Sequence, residues 1–275
     1  MSWNTKITKL LNIDYPIIQG AMAYISDGVL AAAMSHAGCA GVIGSGGFTP
    51  DEVQSHIRRF KDIAGSQKVY GVNLMLQDDN KDDIAQIICD EKVPFVTIGA
   101  GNPIPWFEPF HQKGIKCIPV VPNVKLAQRV QAHGADALVV EGMEAGGHDG
   151  KLTLMALLEN VLPDIEIPVI AAGGITDGRG IAASLLMGAS GVSVRGLKNR
   201  FSDRYLKAEY SGASPDELSS ISAGTTKRGA LLGDTENGFI LAGMSLTHLT
   251  KIQSAKEIVE ELVSETERRL VAAPG

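Results

Sequence analysis

Ala137-Leu138-Val139-Val140-Glu141-Gly142-Met143-Glu144-Ala145-Gly146-Gly147-His148-Asp149-Gly150 is the stretch on which the reading of this chain turns. Its four apolar residues form a short buried strand, and the glycine-rich turn behind them carries a histidine and three carboxylates. In α/β enzymes the loop that follows a buried strand is where binding and catalytic groups gather.

Working outward, the same pattern recurs. Short β-branched runs end at glycine, asparagine or a polar turn at Pro16 to Gly20, Gly41 to Gly44, Val69 to Leu74, Phe95 to Ile98, Lys116 to Val121, Ala137 to Val140, Pro168 to Ala172 and Ser190 to Val194. Amphipathic stretches lie between them: Asp27 to Ala37, Pro50 to Ile63, Lys81 to Glu91, Val124 to His133, Leu152 to Leu162 and Gly178 to Met187. Strand and helix alternating at this pace predict a parallel sheet with helices outside it. Eight units close naturally into an α/β TIM (β/α)8 barrel. A doubly wound open sheet is the competing architecture. After residue 195 the rhythm breaks, so residues 1–195 are expected to form the barrel and 196–275 a helical appendage packed on it. Helical pieces are expected there at Leu197 to Tyr210, Pro215 to Ile221 and Ser254 to about Val271.

Composition narrows the function. The net charge of -6 is spread over mixed patches, which excludes a basic nucleic-acid surface. Cys39, Cys89 and Cys117 stand far apart in apolar segments, without metal-ligand spacing or the even count of a disulfide framework. They read as buried thiols of a reducing compartment. With no leader pattern at the N-terminus and no apolar run long enough to span a bilayer, the expected location is cytoplasmic, off the membrane.

In a barrel the segments after each strand share one rim. Collected there are Gly20-Ala21-Met22-Ala23, Gly44-Ser45-Gly46-Gly47, Asn73, Gly99-Ala100-Gly101-Asn102, Glu141 to His148 and Gly173-Gly174-Ile175. So many small residues let backbone N–H groups approach a ligand that is planar, anionic or both. The Gly173-Gly174 turn reads either as a phosphate loop or as a plain strand–helix turn with Asp177 capping the next helix. Asn73 reads as a ring-edge partner or as a turn former. His148, between glycines and without apolar periodicity, is the candidate acid–base group. His36, His56, His111, His133 and His248 fall in helical patterns and read as structural. Glu141, Glu144 and Asp149 beside His148 suggest a metal, but no neighbouring rim residue completes a ligand set. No rim serine or cysteine has an evident histidine partner for nucleophilic catalysis.

Six motifs in order, Tyr15-Pro16-Ile17-Ile18-Gln19-Gly20-Ala21-Met22-Ala23, Gly71-Val72-Asn73-Leu74-Met75, Gly99-Ala100-Gly101-Asn102-Pro103, Ile118-Pro119-Val120-Val121-Pro122, Glu141 to His148 and Ile170-Ala171-Ala172-Gly173-Gly174-Ile175, resemble the flavin-dependent enoyl-ACP reductase II family. That family is related to the nitronate monooxygenases. The resemblance runs from about Thr5 to Val194. It implies an FMN-containing barrel in which Met22 and Ala23 lie against the isoalloxazine and Asn73 and Glu141 reach polar flavin or ribityl atoms. Gly146, Gly147, Gly173 and Gly174 would serve backbone contacts, with Gly44 and Ser45 counted in the cofactor set. His148 matches the family's active-site histidine.

The implied reaction passes reducing equivalents from NADH or NADPH through FMN to the trans-2-enoyl thioester of an acyl carrier protein or acyl-CoA, in fatty-acid synthesis. A monovalent cation is compatible with it, and a homodimer is the expected assembly. The Gly99 to Pro103 and Ile118 to Pro122 segments favour this reading over nitronate oxidation. Resemblance loosens after Val194. There Val192-Ser193-Val194 runs directly into Arg195-Gly196-Leu197, several tens of residues short of the family pattern, and Ala242-Gly243-Met244 stands where the family shows Ala-Gly-Gln. A gap near 194–196 would remove amide donors to the FMN phosphate, so a flavin-poor binding protein is the third reading.

Overall fold

Seven short strands pair in parallel, each with the next in sequence: β1 (Gly41–Ile43), β2 (Tyr70–Met75), β3 (Phe95–Gly99), β4 (Lys116–Val121), β5 (Leu138–Glu141), β6 (Val169–Ala172) and β7 (Gly191–Ser193). The structure is a computed structural model that describes residues 3–65, 67–146, 151–193, 211, 214–234, 236–238, 243, 245 and 251–272. Helices follow or precede the strands: α1 (Lys6–Leu11), α2 (Gly28–His36), α3 (Pro50–Ala64), α4 (Lys81–Asp90), α5 (Phe107–His111), α6 (Val124–Ala132), α7 (Leu154–Val161), α8 (Gly178–Leu186), α9 (Pro215–Ser222), α10 (Thr225–Leu232) and α11 (Ala255–Ala272). This is the expected α/β barrel. The expected piece at Leu197 to Tyr210 and most of the apolar run Phe239 to Leu249 lie outside the described residues.

Alternation along the strands separates two apolar layers. Val42, Phe95, Ile118, Val139 and Ile170 fill the inside of the barrel, while Val72, Leu74, Val96, Ile98, Val121 and Val140 face the helices. Small and large residues alternate within the inner layer. A Cβ on Gly71 would sit 2.4 Å from the Phe95 ring, so only glycine lets that ring cross the barrel. Ile7 and Leu11 of α1 join the inner cluster and plug the barrel's base.

The helices begin where their sequences direct. The α3 capping box has the Glu52 N–H donating to the Thr49 hydroxyl (3.3 Å) and the Thr49 N–H donating to the Glu52 carboxylate (2.8 Å), with Pro50 in the first turn. Val53, Ile57 and Phe60 then bury one stripe of that helix. The last helix, α11, lies against α8 and α2, placing Val259 and Leu262 in the outer core. It thereby takes the place of the eighth helix of the ring.

The expected first strand, Pro16 to Gly20, is the departure. Among the described residues it forms isolated bridges at Ile17 and Ile18, the latter parallel to Ala40. The Gln19 N–H donates to the Ala40 carbonyl (2.9 Å), but the next ladder donor, Val42 N–H, bonds the side-chain oxygen of Gln19 (3.2 Å). A side-chain amide replaces the backbone acceptor, so the strand stops one residue before its glycine. The same device recurs at Ser45, whose hydroxyl oxygen accepts from the Met75 N–H (3.2 Å) just beyond β1.

Candidate functional site

The rim at the C-terminal strand ends is built by two loops lying on each other. In the first, Gln19 and Ser26 are buried and bonded (2.7 Å), Gln19 also donates to the Gly20 carbonyl, and the Met22 N–H donates to the Ser26 hydroxyl (2.9 Å). The Gly44 N–H reaches back to the Ser26 carbonyl (2.8 Å). The second loop, residues 44–48, meets the first residue by residue: Gly44 lies against the Met22 backbone, Gly46 against Ala23 and Gly47 beneath the Tyr24 ring. Tyr24 holds the left-handed backbone region at φ 63°, a strained setting that tends to occur where a side chain is held for function. Gly47 has φ +79°, and a Cβ there would fall 2.2 Å from the Tyr24 hydroxyl. Met22 and Ala23 remain half-buried at the top of this stack, and Gly44 and Ser45 are buried beneath it.

Asn73 is not in a turn. It lies within β2 opposite Thr97 of β3, and its side-chain N–H₂ donates to the Thr97 hydroxyl (3.2 Å) and carbonyl (3.3 Å). Its carboxamide oxygen has no part in those bonds. Glu141, half-buried at the end of β5, pairs in register with Ala172 of β6.

Beside Glu141 opens a small cleft lined by Glu144, Ala145, Gly173, Gly174, Thr176 and Ser245. The Ser245 hydroxyl donates to the Gly174 carbonyl (2.9 Å), which ties the C-terminal segment to the β6 loop. Glu144 accepts from the Leu154 N–H (2.8 Å) and so caps α7, which spends this carboxylate on structure.

At the start of α8 the expected cap is present: the Asp177 carboxylate accepts from the Arg179 (2.9 Å) and Gly180 (3.3 Å) amides. The bond from the Arg179 side chain, together with those amides, holds the Asp177 carboxyl below the usual carboxylate range. Glu265 accepts from the Gly178 N–H (2.9 Å). With the first amides of α8 taken by carboxylates, an anion in the cleft has the backbone of residues 173–176 as its nearest donors. Gly174 is exposed there, whereas Gly146 and Gly173 are buried.

Thus Met22, Ala23, Gly44, Ser45, Asn73, Glu141, Gly146, Gly173 and Gly174 all lie at one end of the barrel. Gly147 and His148 lie outside the described residues. The arrangement suits a flat ligand over the glycine-rich rim with an anionic arm in the 173–176 cleft, which is the shape of FMN. Gln19, Ser26, Tyr24 and Thr97 were missed by sequence reasoning. Gln19 alone gave a signal, as a polar residue ending an apolar run.

Gln19→Leu keeps the volume and removes both functions of the amide, leaving the buried Val42 N–H unpaired while the Gly20 carbonyl keeps the Ser26 hydroxyl (3.2 Å). The expected cost is about 1 to 3 kcal/mol of stability, of the same order as for Ser26→Ala, which orphans the Met22 N–H. Chemical denaturation of the two variants measures this, and equal, near-zero losses would refute the locking role.

A family model for nitronate monooxygenase matches residues 4–88 and 82–194. A Mycobacterium tuberculosis protein, (3aS,4S,5R,7aS)-5-hydroxy-7a-methyl-1-oxo-octahydro-1H-indene-4-carboxyl-CoA dehydrogenase, is 34% identical over 197 residues, which is 70% of this chain and 55% of that protein. The chain thus spans about half the length of this relative, and 53% of its Rhodococcus jostii counterpart. A probable nitronate monooxygenase of Staphylococcus saprophyticus is 30% identical over 261 residues, covering 78% of this chain and 71% of its own. Among solved structures, FabK from Thermotoga maritima superposes with a TM-score of 0.92 at 34% identity, covering 98% of this chain and 97% of its own.

Proposed function

Because the chain belongs to the nitronate monooxygenase family, we propose that it is an FMN-dependent oxidoreductase that reduces trans-2-enoyl thioesters with NADH or NADPH. The observation that carries this reading is the near-full-length likeness to FabK, at an identity well above that needed for fold alone. The M. tuberculosis relative, named for a carboxyl-CoA substrate, supports the thioester class. Carriage on CoA or on an acyl carrier protein, a cytoplasmic setting and a homodimer belong to the same proposal.

In this reading Met22 and Ala23 support one face of the flavin ring, held in place by the Gln19–Ser26 lock below. Asn73, fixed by Thr97, offers its carboxamide oxygen to a ring N–H. Glu141 takes hydroxyls of the ribityl arm, and the amides of Gly173 and Gly174 take the phosphate. FMN when bound supplies hydride transfer between the nicotinamide and the enoyl β-carbon. The chain's part is to orient the acyl chain, exclude water and manage one proton, a role we give to the imidazole of His148.

Nitronate oxidation is the second reading, favoured by the family model and the S. saprophyticus relative. Two assays on the flavin-loaded protein separate them: anaerobic NADH oxidation with a 2-enoyl-CoA, and oxygen uptake with an alkyl nitronate. Turnover of the thioester at a kcat/KM at least tenfold higher is expected. Turnover of the nitronate alone would overturn the reductase assignment, and a colourless protein that takes up no added FMN would overturn both.

A further inference from the structure

At the base of the barrel, opposite the flavin rim, three unlike side chains converge from three elements. His111 ends α5, Cys117 is the second residue of β4, and Asp136 precedes β5. Asp136 Oδ2 lies 2.9 Å from His111 Nε2 and accepts the Cys117 backbone N–H at 2.8 Å. A ligand atom from each of the three residues lies within 4.8 Å of the others. Tetrahedral zinc, with bonds of 2.0 to 2.3 Å, sets its donors roughly 3.3 to 3.6 Å apart, inside that 4.8 Å limit and a little wider than the His111–Asp136 contact.

The Cys117 residue is fully buried, whereas the His111 and Asp136 side chains are 34% and 29% exposed. Sulfur therefore closes the inner side of the cluster and solvent reaches the outer side, leaving room for a water as fourth ligand. The donor set of one thiolate, one imidazole and one carboxylate is a mixture that hard cations such as magnesium do not favour and that zinc does.

We propose that His111, Cys117 and Asp136 form a binding site for one divalent transition metal, with zinc the preferred ion, that fastens α5, β4 and the entry to β5 at the barrel base. On binding, the three protein donors displace all but one of the metal's waters and the Cys117 thiol proton passes to solvent, so thiolate and carboxylate together balance the divalent charge. The site is independent of the flavin chemistry.

The test uses the flavin-loaded protein after chelation and desalting. Zn²⁺ is titrated against a chromophoric chelator, Co²⁺ is followed by difference spectroscopy for a sulfur-to-cobalt charge-transfer band, and thermal unfolding is recorded with and without Zn²⁺. Expected are one equivalent of Zn²⁺, a rise in Tm, at least tenfold weaker binding in His111→Ala and Asp136→Asn, and loss of the charge-transfer band in Cys117→Ser. Cys89→Ser should bind as the unaltered protein does. Should Cys117→Ser not fold, the two half-exposed positions decide. Equal uptake by the unaltered protein and both variants, no sulfur band with Co²⁺, or loss of binding in Cys89→Ser would each overturn the assignment.

Discussion

His148→Ala is expected to lower turnover of a 2-enoyl thioester by about 10²- to 10⁴-fold, the contribution of a positioned proton-transfer group. Flavin retention and flavin reduction by NADH should change little, because the side chains assigned to the cofactor are those of Met22, Ala23, Asn73 and Glu141, and the contacts given to Gly146, Gly147, Gly173 and Gly174 are backbone ones that the substitution leaves in place. Rapid-mixing kinetics separates the two half-reactions. The loss must fall on reoxidation by the enoyl substrate, and an unchanged rate there would remove His148 from the chemistry. His148→Gln, which retains a hydrogen-bonding side chain but does not titrate near neutrality, should recover substrate binding more than turnover.

The second large effect is expected at Gly173. Its φ of +104° lies where side chains are strained, and a Cβ there would stand 2.9 Å from the Gly142 carbonyl oxygen and 3.0 Å from the Ala145 amide nitrogen. Both neighbours are backbone of the β5 loop, so relief requires the β5 and β6 loops to separate. Gly173→Ala should therefore cost about 3 kcal/mol or more, combining backbone strain of about 1 to 3 kcal/mol with the clash, and should empty the 173–176 cleft of flavin phosphate. Gly174 has φ +68°, and its added Cβ would meet side chains rather than backbone, Glu144 at 3.2 Å and Ser245 at 3.7 Å, so Gly174→Ala should cost about 1 to 2 kcal/mol. Thermal unfolding and flavin retention rank the pair. An order reversed between the two would contradict the crowding argument.

Much of this was legible in the residues. Lys116 to Val121 is a strand at the bounds its β-branched pattern implies, and Lys81–Asp90 and Pro215–Ser222 fall within a residue of the expected helices. Periodicity and caps are local, and a single sequence carries them. What escaped was non-local. Nothing adjacent to Gln19 says that its side chain will stand in for its own carbonyl 23 positions away at Val42. Nothing near Asn73 announces Thr97, which turns an ambiguous asparagine into a strand residue with one amide face already committed. His111, Cys117 and Asp136 show no ligand spacing along the chain because the barrel, not the local sequence, brings them together.

The way the ring closes has a consequence for how the molecule is made. The described sheet runs in sequence order from β1 to β7, every pairing joining consecutive strands. The junction between its ends depends on partners far apart in the chain: the Thr5 hydroxyl donates to the Ser190 carbonyl 185 positions away (3.0 Å), and the Thr266 hydroxyl donates to the Gly178 carbonyl 88 positions away (3.3 Å). Loop-closure entropy grows only slowly with length, yet it is lost before the contacts that reward it form. Six parallel pairs can therefore assemble progressively as an open, curling sheet during synthesis, whereas the seam waits for α11, which follows all seven strands in sequence. Until then the barrel interior is exposed along one edge, and that unsealed edge is where a nascent or partly unfolded chain is most open to association with its own copies.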